Sequence, residues 1–268
     1  MIFSIVTPSL NCKEFILRNI ESVRTQGFGP DEVEHWVIDG GSTDGTVELL
    51  KAQNDIKWIS EQDKGLSDAV NKGIQRSKGE WIIWANADDF LAPDALRVFL
   101  QYVNKHPDIK IFCGELAVLR YDGTLEQIYP AWDYNLKDLL GLRTGINQTS
   151  TFIHREVFEK VGLLDVNIRY AMDYELFVRI MHHYKCVPIN HILAYYQRRK
   201  SSIMDAHMKE HFELFLKVRR QYNQPIFSKA EFRIRFYIYT DWLRQIKPVR
   251  KAVRFAKRIV GKEPLHPM

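Results

Sequence analysis

Four consecutive residues, Asn86-Ala87-Asp88-Asp89, carry the most suggestive chemistry in the chain. Two neighbouring carboxylates repel each other unless a cation lies between or beside them. Mg²⁺ and Mn²⁺ take oxygen ligands, commonly one or two carboxylates with phosphate oxygens completing the shell. The stretch therefore suits a metal–diphosphate, with Asp88 and Asp89 as metal ligands and Asn86 and Ala87 beside them. The same pair can cap a helix ahead of Pro93, and these residues alone leave the two readings level.

Four other clusters carry reactive groups. In Asp39-Gly40-Gly41-Ser42-Thr43-Asp44-Gly45-Thr46 the glycines permit positive φ and close backbone approach. Asp39 is suited to accept a hydrogen bond from a base N–H or a ribose hydroxyl. Asp44 suits a helix cap as well as a ligand contact. In Lys64-Gly65-Leu66-Ser67-Asp68-Ala69-Val70-Asn71-Lys72, the spacing of Asp68, Asn71 and Lys72 puts them on one helix face. That face either touches a ligand or is merely solvated, and solvation is the commoner case. Asp173, in Asp173-Tyr174-Glu175-Leu176, stands at a helix start, where it can cap, and where the dipole favours its anion. An ionised carboxylate there can serve as a general base. Gln197-Arg198-Arg199-Lys200-Ser201-Ser202 offers cations that could neutralise a departing diphosphate or simply form a solvated loop.

These clusters fall between segments of regular pattern, which must position them. Ile2 to Thr7, Val33 to Ile38, Ile56 to Ser60 and Trp81 to Ala85 read as strands. Helical stretches follow them, from Asn11 as cap to Thr25, from Asp44 as cap to Ala52, from Leu66 to Arg76, and from Pro93 onward. Strand, turn and helix repeated four times predict a mainly parallel sheet flanked by helices, an α/β fold. Ligands bind such sheets outside the carboxyl ends of the strands. Thr7-Pro8-Ser9, Asp39 to Asp44, and Asn86 to Asp89 all lie in that kind of turn. The second half is less regular. Ile109 to Arg120 and Thr149 to His154 read as strands, Tyr121-Asp122-Gly123-Thr124 as a hairpin turn, Arg155 to Val161 and Tyr174 to His183 as helices, and Cys186 to Tyr196 as extended chain.

The 268 residues are 46% hydrophobic and 26% charged, enough for a normal core. No run of about 18 apolar residues suggests a membrane span. Met1 to Leu10 lacks the basic start of a signal peptide and reads as a buried strand. Cys12, Cys113 and Cys186 are scattered and odd in number, which predicts free buried thiols in a reducing compartment. Net charge is +5, yet residues 231–262 carry ten bases and two acids, a local +8 that leaves −3 on the rest. That tail implies an anionic neighbour, a membrane surface or nucleic acid. No G-x-x-x-x-G-K-[ST] loop and no G-x-G-x-x-G after the first strand occur, which argues against a P-loop and a dinucleotide oxidoreductase.

Taken together, SIVTPSLN, VIDGGSTDGT, EQDKGLSDAVNKGI, GEWIIWANADD, QTSTFIHREVFEKVGLLD and AMDYELFVRI resemble glycosyltransferase family two, over residues 2–202. The resemblance implies a GT-A fold of Rossmann-like type, with a catalytic domain at 1–205 and a basic helical extension at 206–268. It implies an inverting transfer of sugar from a nucleotide-diphosphate-sugar to a hydroxyl acceptor, as in bacterial polysaccharide or glycolipid assembly. Thr7, Pro8, Ser9, Asp39, Gly41 and Asp44 would line the nucleotide side. Asn86-Ala87-Asp88 would stand for the D-x-D motif, with Asp88 and Asp89 holding Mn²⁺ or Mg²⁺. Asp173 would be the general base. The Arg that many relatives carry ahead of Asn is absent from Ala69-Val70-Asn71-Lys72-Gly73, so Lys64, Asp68 or Lys72 would replace its donor contact, with Asn71 also on the donor side. Arg198 or Arg199 would face the leaving diphosphate.

Two rival readings are weaker. A nucleotidyltransferase making nucleotide sugars needs a Gly-rich basic loop after the first strand, where this chain has Thr7-Pro8-Ser9-Leu10-Asn11. A non-enzymatic binder of anionic polymers would rest on the basic tail alone, whose residues do not interleave with a nucleic-acid stacking platform, so no nucleic acid is expected. Phe232, Phe236, Tyr239, Trp242 and Leu243 instead interleave with Arg233, Arg235, Arg244 and Lys247, as in a helix lying on lipid. A solvated helical cap fits equally. The expectation is a cytoplasmic protein, peripheral on the inner face of the membrane, acting on a sugar or lipid-linked saccharide.

Overall fold

A computed structural model describes residues 1–141, 146–199 and 207–245 of the chain. Expectations for Lys200, Ser201 and Ser202, for the domain boundary at 205, and for the basic residues from Lys247 onward lie outside the described residues. In order, the elements are β1 Phe3–Ser9, α1 Ile16–Arg24, β2 Val33–Asp39, α2 Thr46–Lys51, β3 Lys57–Ser60, α3 Leu66–Arg76, β4 Trp81–Trp84, β5 Phe90–Leu91 and α4 Ala95–Val103. There follow β6 Ile111–Leu119, β7 Leu125–Tyr129, α5 Leu136–Leu140, β8 Thr151–His154, α6 Arg155–Val161, α7 Met172–His183, β9 Cys186–Gln197, α8 Met208–Gln221 and α9 Lys229–Gln245. The chain forms two units, Met1–Leu136 with Ile146–Lys200, and Lys137–Gly145 with Ser201–Met268.

The first unit is built on one sheet in the order β3-β2-β1-β4-β8-β6-β9-β5, with β7 paired to β6. The half from β3 to β4 is parallel, as the strand–helix repeats predict. Beyond it the sheet is mixed. β8 runs antiparallel to both β4 and β6, β6 is parallel to β9, and β5 is antiparallel to β9. The fold is thus α/β with a mixed sheet flanked by helices. The regular strand–helix repeat stops at β4: β5 has two residues, β7 folds back on β6, and β8 runs antiparallel to both of its neighbours, so no period announces them.

β1 is buried along its whole length, because strands pair with it on both sides and helices cover its faces. Its register sets the functional edge. Ser9 lies opposite Asp39, Asp39 opposite Ser60, and Val6 opposite Trp84. The turns after β1, β2, β3 and β4 therefore leave the sheet side by side. α3 packs tightly beneath them: a Cβ on Gly73 would overlap Val6 and press on Ile38. On the other side an aromatic core of Phe3, Trp81, Phe99, Phe112 and Phe152 fixes the sheet, with Phe99 stacked on Phe152 at 4.3 Å and meeting Trp81 edge-on at 4.7 Å.

Three local expectations are corrected. Asn11 does not cap α1, which starts at Ile16; it takes a left-handed conformation, φ 51°, that Asn tolerates, and reaches across to the next loop. α4 starts at Ala95, two residues after Pro93. The cysteines are not all free. Parallel pairing of β6 with β9 brings Cys113 and Cys186 to a Cα separation of 6.6 Å, where they form a disulfide, and Cys12 is the free thiol. The sequence hid this because the partners are 73 residues apart on strands of the irregular half.

Within the second unit α8 and α9 pack on each other. Phe212 stacks on Tyr237 at 5.0 Å, Ile234 is fully buried, and the buried acid Glu231 faces Arg219 and Arg235. α9 also leaves Phe232 and Tyr239 about three-quarters exposed and Phe236 more than half exposed, at i, i+4 and i+7. Among the described residues no helix is long and apolar enough to cross a membrane.

Candidate functional site

Loops at the edge of a parallel sheet have no ladder of their own, so side chains must satisfy their backbone. Here the carboxylate of Asp39, wholly buried, gathers the β2–α2 loop. Its Oδ2 accepts hydrogen bonds from the N–H of Gly41 at 3.1 Å and of Ser42 at 2.9 Å, and from Ser60 Oγ at 2.7 Å; Oδ1 accepts from Ser42 Oγ at 2.5 Å. Gly41 sits at φ 87°, which a glycine adopts without strain. A Cβ on Gly40 would meet the Asp63 carboxylate, which would have to shift.

The β1–α1 loop is stitched to this one. Asn11 donates its backbone N–H to Ser42 Oγ at 2.7 Å, and its Oδ1 accepts from Thr43 N–H at 3.0 Å. Lys13 N–H donates to Asp44 Oδ2 at 3.0 Å, and Cys12 N–H to Thr46 Oγ1 at 3.0 Å. Asp44 also takes the Thr46 N–H at 2.9 Å, so it serves the first turn of α2 although Gly45 occupies the cap position. The carboxylate of Asp44 lies below its usual range: burial pushes it up, and the hydrogen bonds from Thr46 and Lys13 together outweigh that push.

Beneath the loops, Thr7 is buried, donating to Asn19 Oδ1 at 3.2 Å and meeting His35 Nε2 at 2.9 Å. Since the Thr7 proton goes to Asn19, the His35 ring is assigned as the Nε2–H tautomer. Burial pushes the His35 pKa down to about 3, so the ring is neutral. Asn19 in turn donates to the carbonyls of Asn86 at 3.1 Å and Asp89 at 2.8 Å. One buried amide on α1 thus ties β1 to the turn after β4. Pro8 and Ser9 continue β1 to the edge, where Ser9 Oγ is buried without a hydrogen-bond partner among the described residues.

In that turn the two acids part company. Asp88 is the more open, its side chain 20% exposed, and its Oδ2 lies 2.7 Å from Arg199 Nε. Asp89 turns inward, wholly buried, and accepts a hydrogen bond from Thr149 Oγ1 at 2.9 Å. Burial raises both carboxyl groups, and the neighbouring Asp88 charge lifts Asp89 further, well above the usual range; the Arg199 charge opposes the shift at Asp88. Asn86 accepts Trp84 Nε1–H at 2.9 Å, and Ala87 is buried. Among the described residues no three His, Cys, Asp or Glu side chains gather to hold a metal unaided. The donor chemistry does fit a divalent ion attached through one carboxylate, Asp88, if phosphate and water oxygens complete its shell. Asp89 has one oxygen on Thr149 and the other, Oδ1, buried without a hydrogen-bond partner among the described residues.

The two arginines after β9 also diverge. Arg199 lies over the Phe15 ring at 4.4 Å, with Nη2 3.5 Å from Cys12 Sγ. Arg198 faces the β6–β7 hairpin, its Nε 2.6 Å from Glu126 Oε2, so it does not share the cation's place beside Asp88. A bonded path therefore runs from Asp39 through Ser42 and Asn11–Cys12 to Arg199 and Asp88.

The expected donor face of α3 splits as well. Asp68 accepts the Lys64 N–H at 3.0 Å and pairs with Lys72 at 3.3 Å, while Lys72 also reaches Glu61 at 3.0 Å. Asn71 turns inward instead. Its side chain exchanges two hydrogen bonds with the backbone of Leu164, at 2.8 and 3.0 Å, and thereby anchors the loop that leads to α7. Leu176 and Phe177 of α7 share a small apolar cavity with Val70 and Trp84. Asp173 lies about one turn before them on the same helix. Ala171, at φ 52°, holds the cap position, so Asp173 is the second helical residue and not the cap. Burial raises its pKa; the N–H groups of Tyr174 and of Asp173 itself pull the other way and lose. The helix dipole alone had suggested the opposite direction.

Asn19, Ser60, Thr149 and Gln197 were not anticipated. Gln197 accepts from Arg18 Nη1 at 3.2 Å and donates to the Arg120 carbonyl at 2.6 Å, fixing the end of β9. A signal existed for Asn19 alone: it stands in the apolar stripe Ile16, Ile20, Val23, all buried in α1.

The profile of glycosyl transferase family 2 matches residues 4–162. An uncharacterized glycosyltransferase of Rickettsia typhi is 26% identical over 187 residues, 66% of this chain and 58% of that protein, so the chain spans little more than half of that relative's length. A PGL/p-HBAD biosynthesis glycosyltransferase of Mycobacterium bovis is 25% identical over 187 residues, 66% of this chain and 68% of that protein. Among solved structures, the mannosyltransferase PcManGT of Pyrobaculum calidifontis, in complex with GDP-Man and Mn²⁺, superposes with a TM-score of 0.62 at 18% identity, covering 98% of this chain and 76% of that one. At such identity the likeness shows the fold, which is GT-A. The profile covers more than half of the sequence, and the chain belongs to glycosyl transferase family 2.

Proposed function

We propose that the chain transfers a sugar from a nucleotide-diphosphate-sugar to a hydroxyl of a saccharide acceptor, with inversion at the anomeric carbon. The observation that carries this reading is the bonded path from the Asp39 loop to Asp88 and Arg199, which joins the β1–α1 and β2–α2 loops to a carboxylate–guanidinium pair at one edge of the sheet. The family match supports it, as does the GDP-Man and Mn²⁺ complex of the mannosyltransferase for the donor class and metal.

In this account Thr7, Pro8, Ser9 and the Asp39–Asp44 loop border the nucleotide. Asp39 acts through the loop it holds, since its oxygens already accept four hydrogen bonds. Lys64 and Asp68 flank the donor on the α3 side. A divalent ion, Mn²⁺ or Mg²⁺, would be held by Asp88 and would supply charge neutralisation at the diphosphate. Arg199 adds positive charge where the leaving group forms. Asp173 takes the proton from the attacking hydroxyl. Burial raises its pKa, so in its ionised form it is a stronger base than a free aspartate.

A peripheral membrane role belongs to the same proposal and fits a lipid-linked acceptor presented at the inner face. Its support is that exposed Phe232, Phe236 and Tyr239 share α9 with exposed Arg233 and Arg235, the pattern of an interfacial helix.

Four outcomes test these readings. Asp173→Asn should keep donor affinity and lower turnover by about 100- to 10,000-fold. In the unmodified chain the acid limb of kcat/KM should fall through a pKa above the ordinary aspartate value of about 3.9, because the carboxylate must be ionised to act. Near-normal turnover in the variant would remove Asp173 as the base. Thorough chelation should abolish transfer and Mn²⁺ or Mg²⁺ should restore it, whereas full activity after EDTA removes the metal from the scheme. Vesicles containing anionic lipid should float the full chain better than a Phe232→Ser, Phe236→Ser variant; equal flotation ends the membrane role.

A further inference from the structure

We infer that Arg199 is a cation held in reserve: paired with Asp88, it yields that carboxylate to a divalent ion only when a nucleoside diphosphate arrives to take the guanidinium. The inference rests on the metal–diphosphate reading above and adds an order of binding to it.

Three features of the pair carry it. First, one oxygen is contested. Arg199 Nε lies 2.7 Å from Asp88 Oδ2, on the more open of the two adjacent acids, while Asp89 is engaged by Thr149. A divalent ion and a guanidinium cannot both sit on that oxygen, since two cations so close in a half-buried place repel strongly. Second, the guanidinium is incompletely satisfied: its Nε–H has no aligned hydrogen-bond acceptor among the described residues, although Nε lies 2.7 Å from Asp88 Oδ2. The other contacts of the guanidinium are the Phe15 ring at 4.4 Å and the Cys12 sulfur at 3.5 Å, both soft partners. Third, a better partner for it is what the site is proposed to bind. A guanidinium presents a planar fork that phosphate oxygens accept in pairs, with shorter and stronger bonds than a ring or a thiol offers.

The consequence is coupled binding. With no diphosphate, an ion must displace Arg199 and leave the guanidinium without its counter-charge. With diphosphate present, Arg199 moves onto phosphate, Asp88 is released, and ion and nucleotide enter together. Coupling is reciprocal, so the ion strengthens nucleotide binding by the factor by which the nucleotide strengthens ion binding.

The test is Mn²⁺ binding, read by electron paramagnetic resonance of the free ion and by calorimetry, on the full chain, its Arg199→Met variant and its Asp88→Asn variant. Each is measured without nucleotide and with UDP or GDP, corrected for Mn²⁺ bound by nucleotide alone. Circular dichroism and thermal melting establish that each variant is folded. Without nucleotide, Arg199→Met should bind Mn²⁺ about tenfold more tightly than the unmodified chain. Nucleotide should raise the affinity of the unmodified chain by about tenfold or more and that of Arg199→Met much less. Asp88→Asn should bind poorly in both conditions. Equal Mn²⁺ affinity of the unmodified chain and Arg199→Met without nucleotide overturns the inference and leaves the metal reading standing. Absence of Mn²⁺ binding in all three proteins, even with nucleotide, overturns the metal reading and this inference with it.

Discussion

A strand that ends at the edge of a parallel sheet hands its chain to a loop whose N–H and C=O groups have no ladder, and an unpaired buried group costs about 1–3 kcal/mol. That constraint shapes the whole carboxyl edge of this sheet. Asp39 meets it for the β2–α2 loop with four accepted hydrogen bonds, and Asn19 for the turn after β4 with two donated ones. Asn11 and Asp44 bind the first two loops to each other. Asp39 and Asn19 are buried, so their bonds form in a low-dielectric place where each is strong and where its loss is costly. The loops can then be long enough to surround a ligand and still hold one shape.

Charge is organised by the same constraint. Asp88 and Asp89 are adjacent in sequence, and two carboxylates facing one small space could not both stay ionised. The backbone turn separates them: Asp89 goes inward to Thr149, with its pKa well raised, while Asp88 keeps some solvent and a guanidinium. Asp173 is treated differently again. It has two backbone N–H groups in its favour, but burial outweighs them, and the result is a carboxylate with raised basicity.

The parallel half of the fold was legible because each strand there is followed by a helix, so the change of hydrophobic period repeats visibly along the sequence. α3 at Leu66–Arg76 and α6 at Arg155–Val161 fall on their expected bounds, since Gly65 and Gly162 punctuate them. The mixed half was not legible as a sheet. β5 has two residues, and β8 and β9 find partners far away in sequence, which periodicity does not encode. The Cys113–Cys186 pair was missed for that reason. At the site, residue types located the clusters but not their orientation. Asn71 was read on a face with Asp68 and Lys72, yet its amide bonds Leu164, and Arg198 was read beside Arg199, yet it crosses to Glu126. A strand end or a helix turn fixes where a side chain begins, while the neighbours it meets depend on packing from distant parts of the chain.

The most direct measurement of the central claim is a crystal structure of the chain grown with Mn²⁺ and UDP or GDP. The account predicts the nucleoside against the Asp39–Asp44 loop, the ion between Asp88 and the diphosphate, and the Arg199 guanidinium turned onto a phosphate. A nucleotide bound away from these loops, or bound there with Asp88 facing neither ion nor phosphate, would contradict it.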